Sequence, residues 1–222
     1  MAEADSSNIK TIFFDAGGVL FETKRKRMER IGQILRARGY SEAQIAGGFA
    51  KAEEFYQEYR RNNRWISTWD EEDTYWHRYY GSIACTINPR DWDLDQELFH
   101  LTHYARHCEI FPEVPAVLEQ LVSQYELAVI SNALPSLDWV FDLLDLRKYF
   151  KGIFLSAKIG VSKPDAKIFQ YALKQMEVVP ENAIYIDDKF EHVAAAQNLG
   201  MNGFHLQRSE NDLTALLQWL QR

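Results

Sequence analysis

The sequence predicts an α/β fold, a doubly wound parallel sheet interrupted by an inserted α-helical cap domain. Three features point to it: short apolar runs of strand length, helix-periodic segments between the later runs, and a long gap after the first run. The runs are residues 12–14, 127–130, 153–155 and 183–186, each flanked by polar or turn residues, as in strands buried on both faces. A weaker fifth run, 203–206, follows Gly200, which is placed to stop a helix. Ile168, Phe169, Ala172, Leu173 and Met176 recur at helical spacing and so bury one helix face against the sheet. A Leu-rich tail, 213–220, reads as a closing helix. The later runs follow one another at about 25–30 residues, the spacing of βαβ units, whereas more than 110 residues separate the first from the second. Residues 23–108 carry no convincing strand but four helix-like stretches, 24–38, 42–61, 71–83 and 95–107. The expected division is therefore 1–22 plus 109–222 as the α/β core, with 23–108 as the helical cap.

Composition removes several classes. With 46% hydrophobic residues, 26% charged, 11 Gly and 6 Pro, the chain is neither collagen-like nor disordered. Its 25 Lys and Arg against 32 Asp and Glu give a net charge of −7, which opposes nucleic-acid binding by bulk attraction, so an anionic ligand needs a local positive site. Two cysteines, Cys85 and Cys108, are too few for a disulfide framework and are expected reduced. The first residues, MAEADSSNIK, show no basic start followed by an apolar stretch, and no apolar run approaches the ~20 residues of a membrane helix. The expectation is a cytoplasmic protein without a membrane or nucleic-acid partner. Residues 55–104 are crowded with rings, among them Phe55, Tyr59, Trp65, Tyr75, Trp76, Tyr79, Tyr80 and Trp92. These build a small helical core, with some left to face a substrate.

The chemistry-bearing residues sit at strand ends. Asp15 follows the first run directly and is itself followed by Ala16-Gly17-Gly18, at the carboxyl end of a strand where open α/β sheets bind ligands. Glycines there permit a tight turn and close backbone approach to an anion; the plain alternative is a turn capped by Asp15. The fourth run ends in Asp187-Asp188, adjacent acids that repel unless a cation or proton lies between them, and oxygen-rich sites suit Mg²⁺; the alternative is helix capping. Between them lie Ser131-Asn132, whose hydroxyl and amide can donate to phosphate oxygens, and Lys163-Pro164, in which proline suits a helix's first turn and keeps the lysine extended before it. Taken singly, Ser131 also reads as a helix cap and Lys163 as a solvated surface cation.

In this order the four groups resemble the motifs of the haloacid dehalogenase-like (HAD) hydrolases, and the insertion after the first motif resembles that family's helical cap. The resemblance covers the whole core and implies a Rossmann-like fold and Mg²⁺-dependent hydrolysis of a small phosphate monoester. Asp15 would be nucleophile and metal ligand, forming an aspartyl-phosphate that water then hydrolyses. The Gly17 carbonyl and Asp188 would complete the protein ligands, and Asp187 would orient the metal's water. Ser131, the backbone at Asn132, and Lys163 would hold the phosphate.

One position departs from the family pattern. Most phosphatases of this family place a second aspartate two residues after the nucleophile as general acid and base, and here Gly17 stands in its place. Such assistance is worth about a hundredfold to ten-thousandfold. Four resolutions are open: a substrate whose leaving group needs little protonation, such as an anomeric sugar, acyl or aryl phosphate; replacement of the acid by Glu22 or a cap histidine; binding of phosphorylated ligands without turnover; or metal-independent attack on carbon, as in 2-haloacid dehalogenases. The last is disfavoured by the Asp187-Asp188 pair and by Gly17 standing where dehalogenases carry tyrosine. Weaker signals are His100, His103 and His107 at helical spacing and the basic run 24–27, which read as ordinary polar faces; His192 after the acid pair, either a support to the acids or a plain first-turn residue; and Arg60, Arg61 and Arg64, open to an anionic substrate but with no direction fixed.

Overall fold

The computed structural model describes residues 8–24, 26–62 and 65–221. The amino-terminal segment 1–7 and, within the two basic clusters, Arg25 and Arg64 lie outside the described residues. The chain divides into two compact units, Met1–Glu22 with Glu109–Arg222, and Thr23–Cys108.

The first unit is built on five parallel strands: β1 (Thr11–Phe14), β4 (Glu126–Ser131), β5 (Gly152–Leu155), β6 (Ala183–Asp187) and β7 (Asn202–His205), in the order β5-β4-β1-β6-β7. β1 is fully buried and pairs on one side with β4, Phe14 beside Val129, and on the other with β6, Phe14 beside Ile186. Strand order reverses at β1, which leaves a crevice at the carboxyl ends of β4, β1 and β6. The connections carry the helices α5 (Val114–Val122), α6 (Leu137–Leu143), α7 (Ser156–Ile159), α8 (Ala166–Gln175) and α9 (Phe190–Gln197), and α10 (Thr214–Leu220) follows the last strand. The periodic residues of α8 bury as their spacing requires: Ile168, Phe169, Ala172 and Leu173 pack with Phe13, Ala128, Ile130 and Tyr185 of the sheet. Each fully buried side chain of that size contributes roughly 1.5–3 kcal/mol of transfer free energy. Gly200, with φ of +92°, turns the chain after α9 into β7.

Two short strands escaped the sequence pattern, β2 (Phe21–Thr23) and β3 (Cys108–Ile110), which pair as a ribbon where the chain leaves and re-enters the first unit. Three residues are too few to show alternation. The strands of the main sheet also extend past their apolar runs, so that Ser131 and Asp187 are the last residues of β4 and β6. Pro164 lies outside the first turn of α8: the helix starts at Ala166, its amino end is capped by Asp165, and the Lys163-Pro164 peptide is cis.

The second unit is helical: α1 (Arg27–Ala37), α2 (Glu42–Arg61), α3 (Trp69–Ile87) and α4 (Leu94–Thr102), followed by a 3₁₀ turn (Tyr104–His107). Ser41 with Gln44, and Thr68 with Glu71, form capping boxes that set the starts of α2 and α3. α1 starts three residues later than the pattern suggested, with extended Lys26 as its N-cap. The rings divide. Tyr75, Trp76, Tyr79 and Tyr80 are buried on α3, with Arg27 stacked 3.7 Å over Trp76, whereas Trp65, Trp69 and Trp92 are exposed. Among the described residues the His100, His103 and His107 set forms no metal-ligating group; His103 is buried just past α4 and His107 Nε2 bonds the Leu101 carbonyl.

Candidate active site

Asp15 continues β1 by one residue, its N–H donating to the Ile186 carbonyl at 2.8 Å, which fixes its carboxylate at the carboxyl end of the sheet beside β6. The chain then turns sharply. Gly18 has φ of +80°, where only glycine is unstrained, and donates its N–H to the Phe21 carbonyl at 2.9 Å. Arg208 secures this turn from the far end of the sheet: it donates Nε to the Gly18 carbonyl at 3.2 Å and Nη2 to that of Val19, and pairs with Glu113. Gly17 keeps an ordinary negative φ, and a β-carbon there would meet nothing within 4 Å.

Lys163 brings the strand ends together. Its ammonium is buried and donates to Asp15 Oδ1 (2.8 Å), the Ile130 carbonyl (3.0 Å), the Tyr185 hydroxyl (2.7 Å) and Asp187 Oδ2 (2.8 Å). Three N–H groups thus serve four acceptors. The backbone that carries it is gripped by Asn132, which accepts from the Lys163 N–H at 2.7 Å and donates Nδ2 to the Lys163 carbonyl at 2.9 Å. The Asn132 side chain is therefore spent on positioning the lysine. Ser131 ends β4, buried beside the Ile130 carbonyl, and its hydroxyl takes no part in the lysine's bonds.

The carboxylates of Asp15, Asp187 and Asp188 lie with ligand atoms within 4.8 Å of one another, the one such group of acids, histidines or cysteines among the described residues. Asp187 is fully buried. Besides Lys163, its Oδ2 accepts from the Tyr185 hydroxyl and from His192 Nδ1 at 2.9 Å, and its Oδ1 accepts the Lys189 N–H at 2.8 Å. Burial alone would raise its pKa, but the Lys163 charge and these hydrogen bonds bring it down to about 2, so it is ionised. Asp188 is shifted upward by burial and by the negative charges of Asp187 and Asp15. Burial pushes the Tyr185 hydroxyl well above its usual range, so it keeps its proton and donates it. Sequence reading missed Tyr185, which looks like strand filler, and left His192 open between a support to the acid pair and a plain first-turn residue. The one available signal is the alternation of β6, which puts residues 185 and 187 on the same face of the sheet.

Three carboxylates, two of them buried, gather around one ammonium at the ends of β1 and β6. An oxygen donor set of this kind fits a hard divalent cation. Gly18 belongs to the same fit, since its missing β-carbon leaves the space that Asp188 occupies.

The chain is similar to several known proteins. The chain is 26% identical over 200 residues to a glyceraldehyde 3-phosphate phosphatase of Methanothermobacter thermautotrophicus, covering 87% of this chain and 84% of that one. It is 47% identical to the sesquiterpene phosphatase astK of Aspergillus oryzae, over 60 residues that span 27% of this chain and only 31% of that protein. Among solved structures it resembles a HAD family enzyme of Bacteroides thetaiotaomicron in complex with magnesium and inorganic phosphate, with TM-score 0.65, 20% identity and coverage of 94% and 98%. It also resembles a 2-haloacid dehalogenase of Pseudomonas syringae, with TM-score 0.66, 22% identity and coverage of 96% and 99%. At these identities the structures establish a shared fold. The model of one family accounts for residues 9–200, most of the chain, and on that match this protein belongs to the haloacid dehalogenase-like hydrolases, a family of enzymes.

Proposed function

We propose that this protein is a cytoplasmic, Mg²⁺-dependent phosphatase that hydrolyses a small phosphate monoester through an aspartyl-phosphate on Asp15. The observation that carries the reading is the meeting of Asp15, Asp187 and Asp188 within 4.8 Å, with the Lys163 ammonium 2.8 Å from Asp15. Asp15, the Gly17 carbonyl and Asp188 would hold Mg²⁺, with Asp187 beside them, and the ion would supply positive charge that offsets the charge of the phosphate. Among the chain's own groups, the Asp15 oxygen free of Lys163 attacks phosphorus, the bond to the ester oxygen breaks, and that oxygen leaves with the electron pair. Water then attacks the phosphoryl group and restores the Asp15 carboxylate, releasing inorganic phosphate. Ser131, the Asn132 backbone and Lys163 hold the phosphate oxygens. Lys163 supplies compact positive charge against the charge that develops on them. The helical unit is assigned the part of a substrate-selecting cap.

Gly17 narrows the substrate class. With no side chain to protonate the departing oxygen, the reading favours esters that leave readily: anomeric sugar phosphates, acyl phosphates or aryl phosphates. Relatives named as phosphatases of glyceraldehyde 3-phosphate and of phosphorylated carbohydrates support a phosphorylated sugar. The test is phosphate release from a panel of phosphorylated metabolites, aryl and alkyl esters included, across a Mg²⁺ titration. Metal-stimulated release favouring the good leaving groups supports the proposal, and equal rates on aryl and alkyl esters remove its leaving-group half. Halide release from 2-haloacids without metal, or phosphate-ester binding without turnover, overturns it.

A further inference from the structure

Two side chains outside the phosphatase residues converge on one carboxylate oxygen. Asp187 Oδ2 receives the Tyr185 hydroxyl proton, the Lys163 ammonium at 2.8 Å and His192 Nδ1 at 2.9 Å, while Oδ1 is held by the Lys189 N–H at 2.8 Å. Tyr185 closes the triangle, because its oxygen also accepts from Lys163 Nζ at 2.7 Å. Asp187, Tyr185, Lys163 and His192 are each at least nine-tenths buried, and the Tyr185 ring is clamped edge-on by Phe169 with ring centroids 5.0 Å apart. A lysine side chain has four rotatable bonds and no preferred direction for its ammonium. Here its reach toward Asp15 is set by fixed groups on β6 and α9.

We propose that Tyr185 and His192 are positioning residues that pin Asp187 and thereby hold the Lys163 ammonium on the Asp15 carboxylate, where the phosphate is to bind. The inference rests on the phosphatase reading for its kinetic consequence and on geometry alone for the placement of Lys163. Tyr185→Phe removes one oxygen and keeps the ring packing. His192→Leu removes the donor, and His192→Asn returns an N–H near the position of Nδ1.

With an aryl phosphate as substrate, Tyr185→Phe and His192→Leu are expected to lower kcat about tenfold to a hundredfold, the scale of one hydrogen bond to a charged group. His192→Asn recovers most of the loss. The second readout is the ¹⁵N-edited ammonium resonance of Lys163 in the substrate-free protein. Slow proton exchange should make it visible in the wild type, and both donor-deleting variants should broaden it. Unchanged kcat in both donor deletions, His192→Asn as impaired as His192→Leu, or an unaltered Lys163 resonance in all variants overturns the proposal. Should the wild type release no phosphate with Mg²⁺ present, the phosphatase reading falls, and the Lys163 resonance still decides the positioning role.

Discussion

Gly18 and Asp188 occupy each other's space: a β-carbon on Gly18 would stand 2.5 Å from Asp188 Oδ2. Gly18→Ala therefore carries two penalties, the collision with a carboxylate of the acidic cluster and a φ of +80° that alanine disfavours. The variant is expected to lose about 1–3 kcal/mol of stability and to bind Mg²⁺ more weakly, read by urea unfolding and by metal dependence of the rate. Wild-type metal dependence in Gly18→Ala would show that Asp188 does not need that space.

Gly17, one residue earlier, behaves oppositely. Its φ is ordinary and its β position is open, so Gly17→Asp folds without strain. If the missing proton donor is what restricts the substrate, this variant raises turnover of alkyl phosphates by about tenfold or more while aryl phosphates change little. The measurement is the aryl-to-alkyl rate ratio. A ratio that stays where the wild type has it speaks against leaving-group selection.

Asn132 acts through the backbone of Lys163, accepting from its N–H and donating to its carbonyl. Asn132→Ala strips both bonds and is expected to lower stability by about 1–3 kcal/mol and kcat by about tenfold, with KM for the phosphate ester rising. Chemical unfolding and initial rates test it, and an unaltered kcat would mean that Lys163 keeps its place unaided.

The helical unit carries a pH-sensitive group of its own. Burial first, then the charges of Arg27, Arg106, Arg30 and His107, bring His103 down to about 4, and its Nδ1 accepts the Ala105 N–H at 3.4 Å. A folded pKa below the unfolded value near 6.5 means that the neutral imidazole is favoured on folding. This stability is present above about pH 6.5 and drains away as pH falls toward 4. Between pH 7 and 5 the loss is about 2 kcal/mol, measurable as a shift in urea midpoint. His103→Gln should flatten that dependence, and an equally steep one in the variant would assign it elsewhere.

The strand-end residues were legible in the sequence because a buried parallel strand is an uninterrupted apolar run, and the first polar residue after it marks the ligand-binding end. Asp15, Ser131 and Asp187 were found that way, and Lys163 by its order among them. What the pattern could not carry is direction. Asn132 reaches a backbone 31 residues away, and Tyr185 spends its hydroxyl on Lys163 and Asp187, contacts that exist only once β4, β6 and the loop before α8 are side by side. His192 gains its role from where α9 starts after β6. The ribbon β2–β3 went unread because three-residue strands leave no periodicity.

In the proposed reaction Asp15 does the chemistry with a divalent cation beside it. The most direct test is phosphate release from an aryl phosphate by the wild type and by Asp15→Asn, measured side by side across a Mg²⁺ titration, with circular dichroism confirming that both are folded. Saturable Mg²⁺ stimulation in the wild type and a loss of about a thousandfold or more in Asp15→Asn is the predicted result. Similar rates in the two proteins, or rates indifferent to Mg²⁺, would contradict it.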